Sequence, residues 1–282
     1  MKKTIISLSL LCCSLFILIC SCTKNSSTTN NNDDNETQTT ADNMLAQSIH
    51  DDVTTVTAQS EDNGVGGTLA DSSFGYLLSP CATISLNLAS SPHQLTIDFG
   101  NTNCKCLDGK YRRGKILVSF TGLYADSGSS HTISFDNYHV NNYKVEGTQT
   151  VSNNGHNSKG HLTFSIDINS TITDTSGNKL TYISARTREW VAGESTNGLF
   201  GWLDDVYSIT GNASGTSFNG TSYTAKITSP LIVALNCRWI ESGKIEFKPD
   251  ASLTRTIDFG NGDCDNKATV SIAGLSINIF LP

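Results

Sequence analysis

Hydrophobic and polar positions alternate with a period of two over most of the chain beyond residue 67. Leu95, Ile97 and Phe99 alternate with polar residues, and the same pattern recurs at 162–168. Side chains two residues apart share one face of a β-strand, so each run predicts a half-buried strand. Similar runs lie at 83–88, 115–124, 131–140, 144–151, 180–190, 206–213, 223–228, 244–248 and 268–281.

Short polar segments separate these runs. Asn141-Asn142, Ser176-Gly177-Asn178 and Asn219-Gly220 contain residues that tolerate the positive φ of tight hairpins. No helix of ordinary length fits between neighbouring runs, which excludes parallel crossover units. Residues 63–282 are therefore predicted to form an all-β domain, an antiparallel meander of about a dozen strands that closes as a sandwich, an open barrel or a long twisted sheet.

One earlier segment has a helical period instead. Between residues 42 and 62 apolar side chains recur every three to four positions, at Leu45, Ile49, Val53 and Val56. Asp42 or Asn43 supplies a capping residue ahead of the run, whereas the threonines at 54, 55 and 57 disfavour a helix. This pattern predicts a short N-terminal helix that leads into the β domain.

The first 21 residues have the features of a secretory signal. Lys2 and Lys3 precede an apolar stretch at 5–19 that is too short to span a bilayer. The following Ile-Cys-Ser-Cys sequence, ending at Cys22, resembles the bacterial lipobox, which implies cleavage before Cys22 and fatty acylation of that cysteine. The alternative is an ordinary secreted protein in which Cys22 is an incidental thiol.

Residues 22–41 are predicted to be a disordered polar tether behind the lipidated cysteine. Of the 18 residues at 23–40, 13 are Ser, Thr or Asn, so the segment has almost no apolar surface to bury. Its acidic cluster, Asp33, Asp34 and Glu36, is either a sorting signal or part of a plain spacer.

A six-residue motif, TIDFGN, occurs at 96–101 and again at 256–261. Cys104 follows the first copy and Cys264 the second, and Cys81 and Cys237 precede them at similar distances. The repeat suggests two equivalent hairpins in a partly duplicated domain. Two copies are too few for a solenoid.

The repeat also suggests a disulfide pattern, because an exported chain enters an oxidising compartment. We expect Cys81 to pair with Cys104 and Cys237 with Cys264, which leaves Cys106 as the odd thiol. Three alternatives stay open: Cys106 in place of Cys104, a Cys81 to Cys237 bond between the halves, or five buried thiols.

Several segments together resemble a group of uncharacterised β-rich lipoproteins that is widespread in the Bacteroidetes. They are NCKCLDGKYRRGKI at 103–116, FDNYHVNNYKVEGT at 135–148, RTREW at 186–190 and TIDFGNGDCDNK at 256–267. The resemblance covers most of residues 81–281. It implies an outer-membrane lipoprotein facing the periplasm or the cell surface, and it implies no activity or catalytic residue.

Candidate chemistry clusters around two tryptophans. Four carboxylates lie near them in sequence, and two of these could be the acid and base of a glycan-acting hydrolase. The alternative is that all four are ordinary surface acids: Glu189, Glu194, Asp204 and Asp205. Four aromatic residues are candidate ligand contacts that would stack on sugars, with core packing as the alternative: Trp190, Trp202, Tyr138 and Tyr143. A nucleophile motif of the form Gly-x-Ser-x-Gly is missing from the sequence.

Metal and cofactor sites are not predicted. The six histidines have no helical i, i+4 pairing, and Cys104 and Cys106 are spaced too closely for a usual zinc pair. The loop at 261–266 begins like a calcium loop, but Asn266 and Ile272 stand where such loops have Gly and Glu.

Charge argues against nucleic acid as a partner. Without Lys2 and Lys3 the chain has 17 basic and 26 acidic residues, a net charge of −9. The basic cluster Lys110, Arg112, Arg113 and Lys115 is expected to be a solvated strand face or edge protection.

These observations favour a non-enzymatic lipoprotein of the bacterial envelope, held to the membrane by its lipid and having a binding or structural role. Its expected partners are the membrane and a glycan or an envelope protein. The alternative is an envelope hydrolase that acts on glycans.

Overall fold

The computed structural model describes residues 31–65, 82–196, 201–250 and 252–281. They form one α-helix, one short 3-10 helix and fourteen antiparallel strands in a single open sheet. Neighbours in the sheet are almost always neighbours in sequence, so the predicted all-β meander is confirmed as a long open sheet. None of the described helices is long and apolar enough to cross a membrane.

The helix α1 spans Asn31–Val65, and the 3-10 helix spans Gly201–Asp204. The strands are β1 Thr83–Asn87, β2 His93–Asp98, β3 Cys104–Lys105, β4 Tyr111–Phe120, β5 Ser130–Val140, β6 Tyr143–His156, β7 Leu162–Thr173, β8 Lys179–Ala192, β9 Val206–Thr216, β10 Ser222–Ala234, β11 Ser242–Pro249, β12 Arg255–Asn261, β13 Lys267–Ile272 and β14 Leu275–Phe280. β3 lies off the main order and pairs with β4 alone.

The hairpins between these strands have the predicted turn chemistry. Asn141 and Asn142 both have positive φ, at 47° and 69°, which matches a two-residue hairpin turn. Gly177 and Gly220 also have positive φ in their turns. The sequence signals for turns were therefore reliable.

The sheet curls around α1. Strands as distant in the sheet order as β1 and β11 both contact this one helix. Ala46, Ile49, Val53 and Val56 of the helix are buried in the same core as the inward side chains of the sheet. The helix thus covers the concave face that the open sheet would otherwise expose to water.

The prediction for the helix was wrong in extent. It begins at Asn31, not Asp42, so it includes the second half of the segment that was expected to be a disordered tether. Its β-branched residues are accommodated because Thr54 Oγ1 and Thr55 Oγ1 donate hydrogen bonds to the backbone carbonyls of His50 and Asp51, both 3.0 Å long.

The interface between helix and sheet contains many buried polar contacts. Phe218 N, Gln149 and Arg186 each bond a different turn of α1. At the C-terminal end Glu61 Oε2 lies 2.7 Å from His131 Nε2, and both side chains are almost fully buried. The buried face of α1 is therefore defined by polar side chains that bond the sheet as well as by apolar periodicity.

The strongest of these contacts is an ion network around Arg112. Its Nη2 donates to both carboxylate oxygens of Asp52, at 2.7 and 2.8 Å, and to Asp108 Oδ2 at 2.6 Å. Lys110 Nζ also donates to Asp52, at 2.7 Å. Arg112 is 0% exposed, so the expectation that the basic cluster is a solvated face was wrong for this residue. Its side chain shares the inward face of β4 with Ile116 and Val118.

A second buried network surrounds His50. Its Nδ1 lies 2.9 Å from Gln149 Oε1 and its Nε2 lies 2.7 Å from Ser170 Oγ. A neutral imidazole satisfies both contacts, by donating from Nδ1 and accepting at Nε2. Burial lowers the pKa of His50 to about 4, so the residue is neutral in the folded protein near pH 7.

The two TIDFGN copies have the same local structure. Asp98 and Asp258 each accept a hydrogen bond from the glycine two residues later, at 2.8 and 3.0 Å. Each also pairs with a lysine, Asp98 with Lys115 of β4 and Asp258 with Lys244 of β11. Lys115 follows the first copy in the sequence, whereas Lys244 precedes the second copy. The two copies therefore share the hydrogen bond of the turn, but their salt-bridge partners come from different places in the sequence.

The predicted bond between Cys237 and Cys264 is confirmed, with Cα atoms 5.7 Å apart, and it excludes a bond between Cys81 and Cys237. Cys104 is disulfide-bonded as well. Its predicted partner, Cys81, lies outside the described residues. Cys106 is a buried thiol, 3% exposed, so Cys104 and not Cys106 is the cysteine that forms the bond.

Replacing Asp52 by Asn should destabilise the fold by about 1.5–3 kcal/mol, because Arg112 and Lys110 lose a charged acceptor while Arg112 keeps Asp108. The matched control is Glu146→Gln, which breaks the exposed pair with Lys144 and should cost less than about 1 kcal/mol. Urea denaturation gives both free energies of unfolding. Equal effects of the two changes would show that the Arg112 network does not hold the helix.

Acid should weaken the protein through His50. The unfolded histidine takes up a proton near its ordinary pKa of 6.5 and the folded one only near 4, so the free energy of unfolding falls as the pH drops through this window. The contribution is up to about 3 kcal/mol. His50→Gln should remove it, and urea denaturation between pH 7.5 and 4 measures the difference. Parallel stability profiles for the two proteins would contradict the assignment.

Candidate functional site

An open depression lies at the end of β8. Trp190 of β8 forms its floor, the hairpin between β6 and β7 contributes His156 and His161, and the turn after β8 contributes Gly193 and Glu194. The depression has a volume of about 400 Å³ and is wide and shallow. It is a surface on which a ligand can lie, not a cleft that encloses one.

Two carboxylate–imidazole pairs flank this depression. Glu189 Oε1 lies 2.7 Å from His161 Nδ1 and accepts a hydrogen bond of 2.9 Å from Asn157 Nδ2. Glu194 Oε1 lies 2.6 Å from His156 Nε2. The hydrogen bonds from His161 and Asn157 lower the pKa of Glu189, so this carboxylate stays ionised at neutral pH.

Trp190 is half-buried and rests on Tyr207, with ring centroids 5.6 Å apart. This support holds the indole in place and leaves part of it in contact with solvent. A fixed aromatic surface between polar side chains is suited to stacking against a ligand that is both apolar and hydroxylated.

The acidic residues do not form a hydrolase pair in the depression. A glycosidase needs one carboxylic acid with a raised pKa and a second, ionised carboxylate on opposite sides of the substrate. Asp205 has the first property, since burial raises its pKa to about 6. It is only 6% exposed and does not line the depression, and Asp204 is bonded to Thr196.

The aromatic residues predicted as ligand contacts do not lie together in the structure. Among the three whose side chains the structure describes, Trp190 alone lines the depression. Tyr138 is 0% exposed and stacks on Phe135 in the core, so its assignment as a ligand contact was wrong. Tyr143 packs on Phe218. The side chain of Trp202 lies outside the described residues.

Possible metal ligands are engaged elsewhere. In the loop that begins like a calcium site, Asp265 pairs with Lys267 at 2.9 Å, and Asp258 nearby pairs with Lys244 at 2.8 Å. Within the described ranges, one group of potential ligands comes close enough to share an ion: Cys237, Glu241 and Cys264. Both of its sulfur atoms are in the disulfide, so they are not metal ligands in this state.

Sequence reasoning missed two arginines. Arg186 and Arg188 have the same parity on β8 as the buried residues Leu180 and Tyr182. The alternation therefore predicts their position on the inward face, although sequence reasoning used the segment only as one of the stretches that resemble other lipoproteins. Arg186 Nη2 donates to Gln47 Oε1 at 3.0 Å and to Tyr182 Oη at 2.9 Å.

No protein-family model matches the chain, and no curated protein or solved structure is detectably similar to it. The comparisons therefore add no function to the geometry.

Proposed function

We propose that this protein is a lipid-anchored lipoprotein of the bacterial outer membrane that binds an envelope or environmental glycan and does not hydrolyse it. The anchor is the lipid on Cys22, and the binding surface is the depression around Trp190. The resemblance to β-rich lipoproteins of the Bacteroidetes agrees with this location.

The observation that carries the binding role is the Trp190 surface itself. A supported indole lies in one lining with His156, His161 and Glu194, and Glu194 pairs with His156. A sugar ring has one apolar face, which stacks on an aromatic ring, and peripheral hydroxyls, which bond carboxylates and imidazoles. The shallow shape suits an extended chain that continues past the site in both directions.

The competing function, hydrolysis, has one favourable feature, the raised pKa of Asp205. Burial of that residue weighs against it, and Glu189, with its lowered pKa, could serve only as the ionised partner and not as the acid. A general acid must reach the glycosidic oxygen, and a carboxyl group with a depressed pKa is a poor proton donor at neutral pH.

The extent of α1 affects how the domain would sit on a membrane. Since α1 begins at Asn31, eight residues, 23–30, separate it from Cys22. Fully extended, eight residues span at most about 28 Å. A lipid on Cys22 would therefore keep the start of the helix close to the headgroups.

Replacing Cys22 by Ser should prevent acylation and release the protein from the membrane, because two or three acyl chains are what provide stable anchoring. The measurement is metabolic labelling with a palmitate analogue, followed by membrane fractionation. Cys106→Ser is the matched control and should keep both the label and the membrane association. Labelling of the Cys22→Ser protein would disprove the anchor.

Trp190→Ala should weaken glycan binding by about tenfold or more, since removal of a central aromatic contact is among the largest single losses at a binding surface. Calorimetric titration with purified envelope polysaccharides measures the change. Trp239→Ala is the control, because Trp239 is a partly buried tryptophan outside the depression.

Two results would count against the proposal. Equal glycan affinity of the Trp190→Ala and Trp239→Ala proteins would show that the Trp190 depression is not the binding surface. Glycan turnover that disappears in Glu189→Gln or Glu194→Gln protein would establish the hydrolase instead.

A further inference from the structure

A second, smaller crevice opens between α1 and the inner face of β7 to β10. Gln47, Asp51 and Thr55 of the helix form one side, and the side chains of Tyr182, Arg186, Arg188 and Tyr207 form the polar part of the other. Asp51 is exposed and Tyr182 is fully buried, so the crevice leads from solvent at Asp51 inward to Tyr182. It is distinct from the Trp190 depression in its lining residues.

Arg188 is the unusual group in this crevice. Three aromatic rings surround its guanidinium, with the carbon at 4.7 Å from the Tyr207 centroid, 5.1 Å from Phe164 and 5.7 Å from Tyr124. Within the described part of the chain it forms no ion pair, and its buried Nε has no hydrogen-bond partner. Burial lowers the pKa of Arg188, as expected for a cation without an anion in contact.

Arg186 adds a second positive charge beside the first. Its Nη2 is engaged by Gln47 and Tyr182, while its Nε is buried and unbonded. Asp51 is the acidic residue on the lining, and it forms no direct ion pair with either arginine. The lining itself therefore has two guanidinium groups and one carboxylate, and the buried Asp205 carboxylate acts on Arg188 from outside the lining.

The remaining wall is apolar: Ile166, Ile168, Ile209, Val233 and Leu235. The cavity measures about 80 Å³. Because a single water needs only about 10–15 Å³, the cavity has room for a small organic anion. An inorganic anion would leave the isoleucine wall without a partner, whereas a carboxylate with a short hydrocarbon tail matches both parts of the lining.

We propose that this crevice is a binding site for a short-chain monocarboxylate, with the carboxylate on Arg188 and Arg186 and a hydrocarbon tail against the isoleucine wall. Guanidinium and carboxylate form paired, charge-assisted hydrogen bonds, and the aromatic rings hold the Arg188 plane in position for them. A tail of about three or four carbons fills the available volume.

Calorimetric titration of the purified protein with sodium butyrate tests the site. Sodium phosphate is the comparison anion without a hydrocarbon tail, and butyramide is the uncharged isostere of butyrate. Butyrate should bind more tightly than either comparison compound by about tenfold or more, since it alone provides both the charge and the tail. Arg188→Met should lower butyrate affinity by a similar factor. Arg238→Met is the matched control, because Arg238 is an exposed arginine that contacts one aromatic ring outside the crevice.

A gain of affinity provides a test that misfolding cannot imitate. Asp51→Asn removes the negative charge at the entrance and should strengthen butyrate binding several-fold. The proposal fails if butyrate binds no better than butyramide or phosphate, or if the Arg188→Met protein binds it unchanged. Should Arg188→Met fail to fold, unchanged affinity in Asp51→Asn would overturn the proposal.

Discussion

The buried ion network between Arg112 of the sheet and Asp52 of the helix is the contact on which the rest of this structure depends. The sheet is open, so its concave face needs a cover, and α1 is that cover. Apolar contacts alone would allow a helix to slide or rotate in the groove, because they are not directional. Asp108, just before β4, pairs with Arg112 independently of the helix, and only a register that places Asp52 beside Arg112 supplies the second carboxylate. His50 and Glu61 impose the same register further along.

This arrangement explains which parts of the fold the sequence could predict. Strands, hairpins and the antiparallel meander follow from local alternation and turn chemistry, and these signals are not altered by distant residues. The Cys237 to Cys264 bond followed from the repeated motif. The extent of α1 did not follow, because its early turns are polar and are stabilised by partners such as Arg255, which donates to Thr40 and lies far away in sequence. Pattern reasoning treats such residues as solvated.

The site was less predictable for the same reason. Arg112 was predicted to lie on a solvated face, and Tyr138 was a candidate ligand contact, but both are buried. The alternation of side chains along β4 would have placed Arg112 on the inward face. Trp190 was correctly selected from the sequence, but its histidine neighbours come from another hairpin. Their proximity follows from the β7–β8 hairpin, but sequence reasoning placed no histidine beside Trp190.

One strand carries both candidate sites. On β8, Arg186, Arg188 and Trp190 follow one another on alternate positions, and Tyr207 of β9 contacts both the Arg188 guanidinium and the Trp190 ring. Rigid secondary structure holds functional groups more precisely than loops do. Tyr207 therefore lies between the crevice, which it lines, and the Trp190 ring, which it supports.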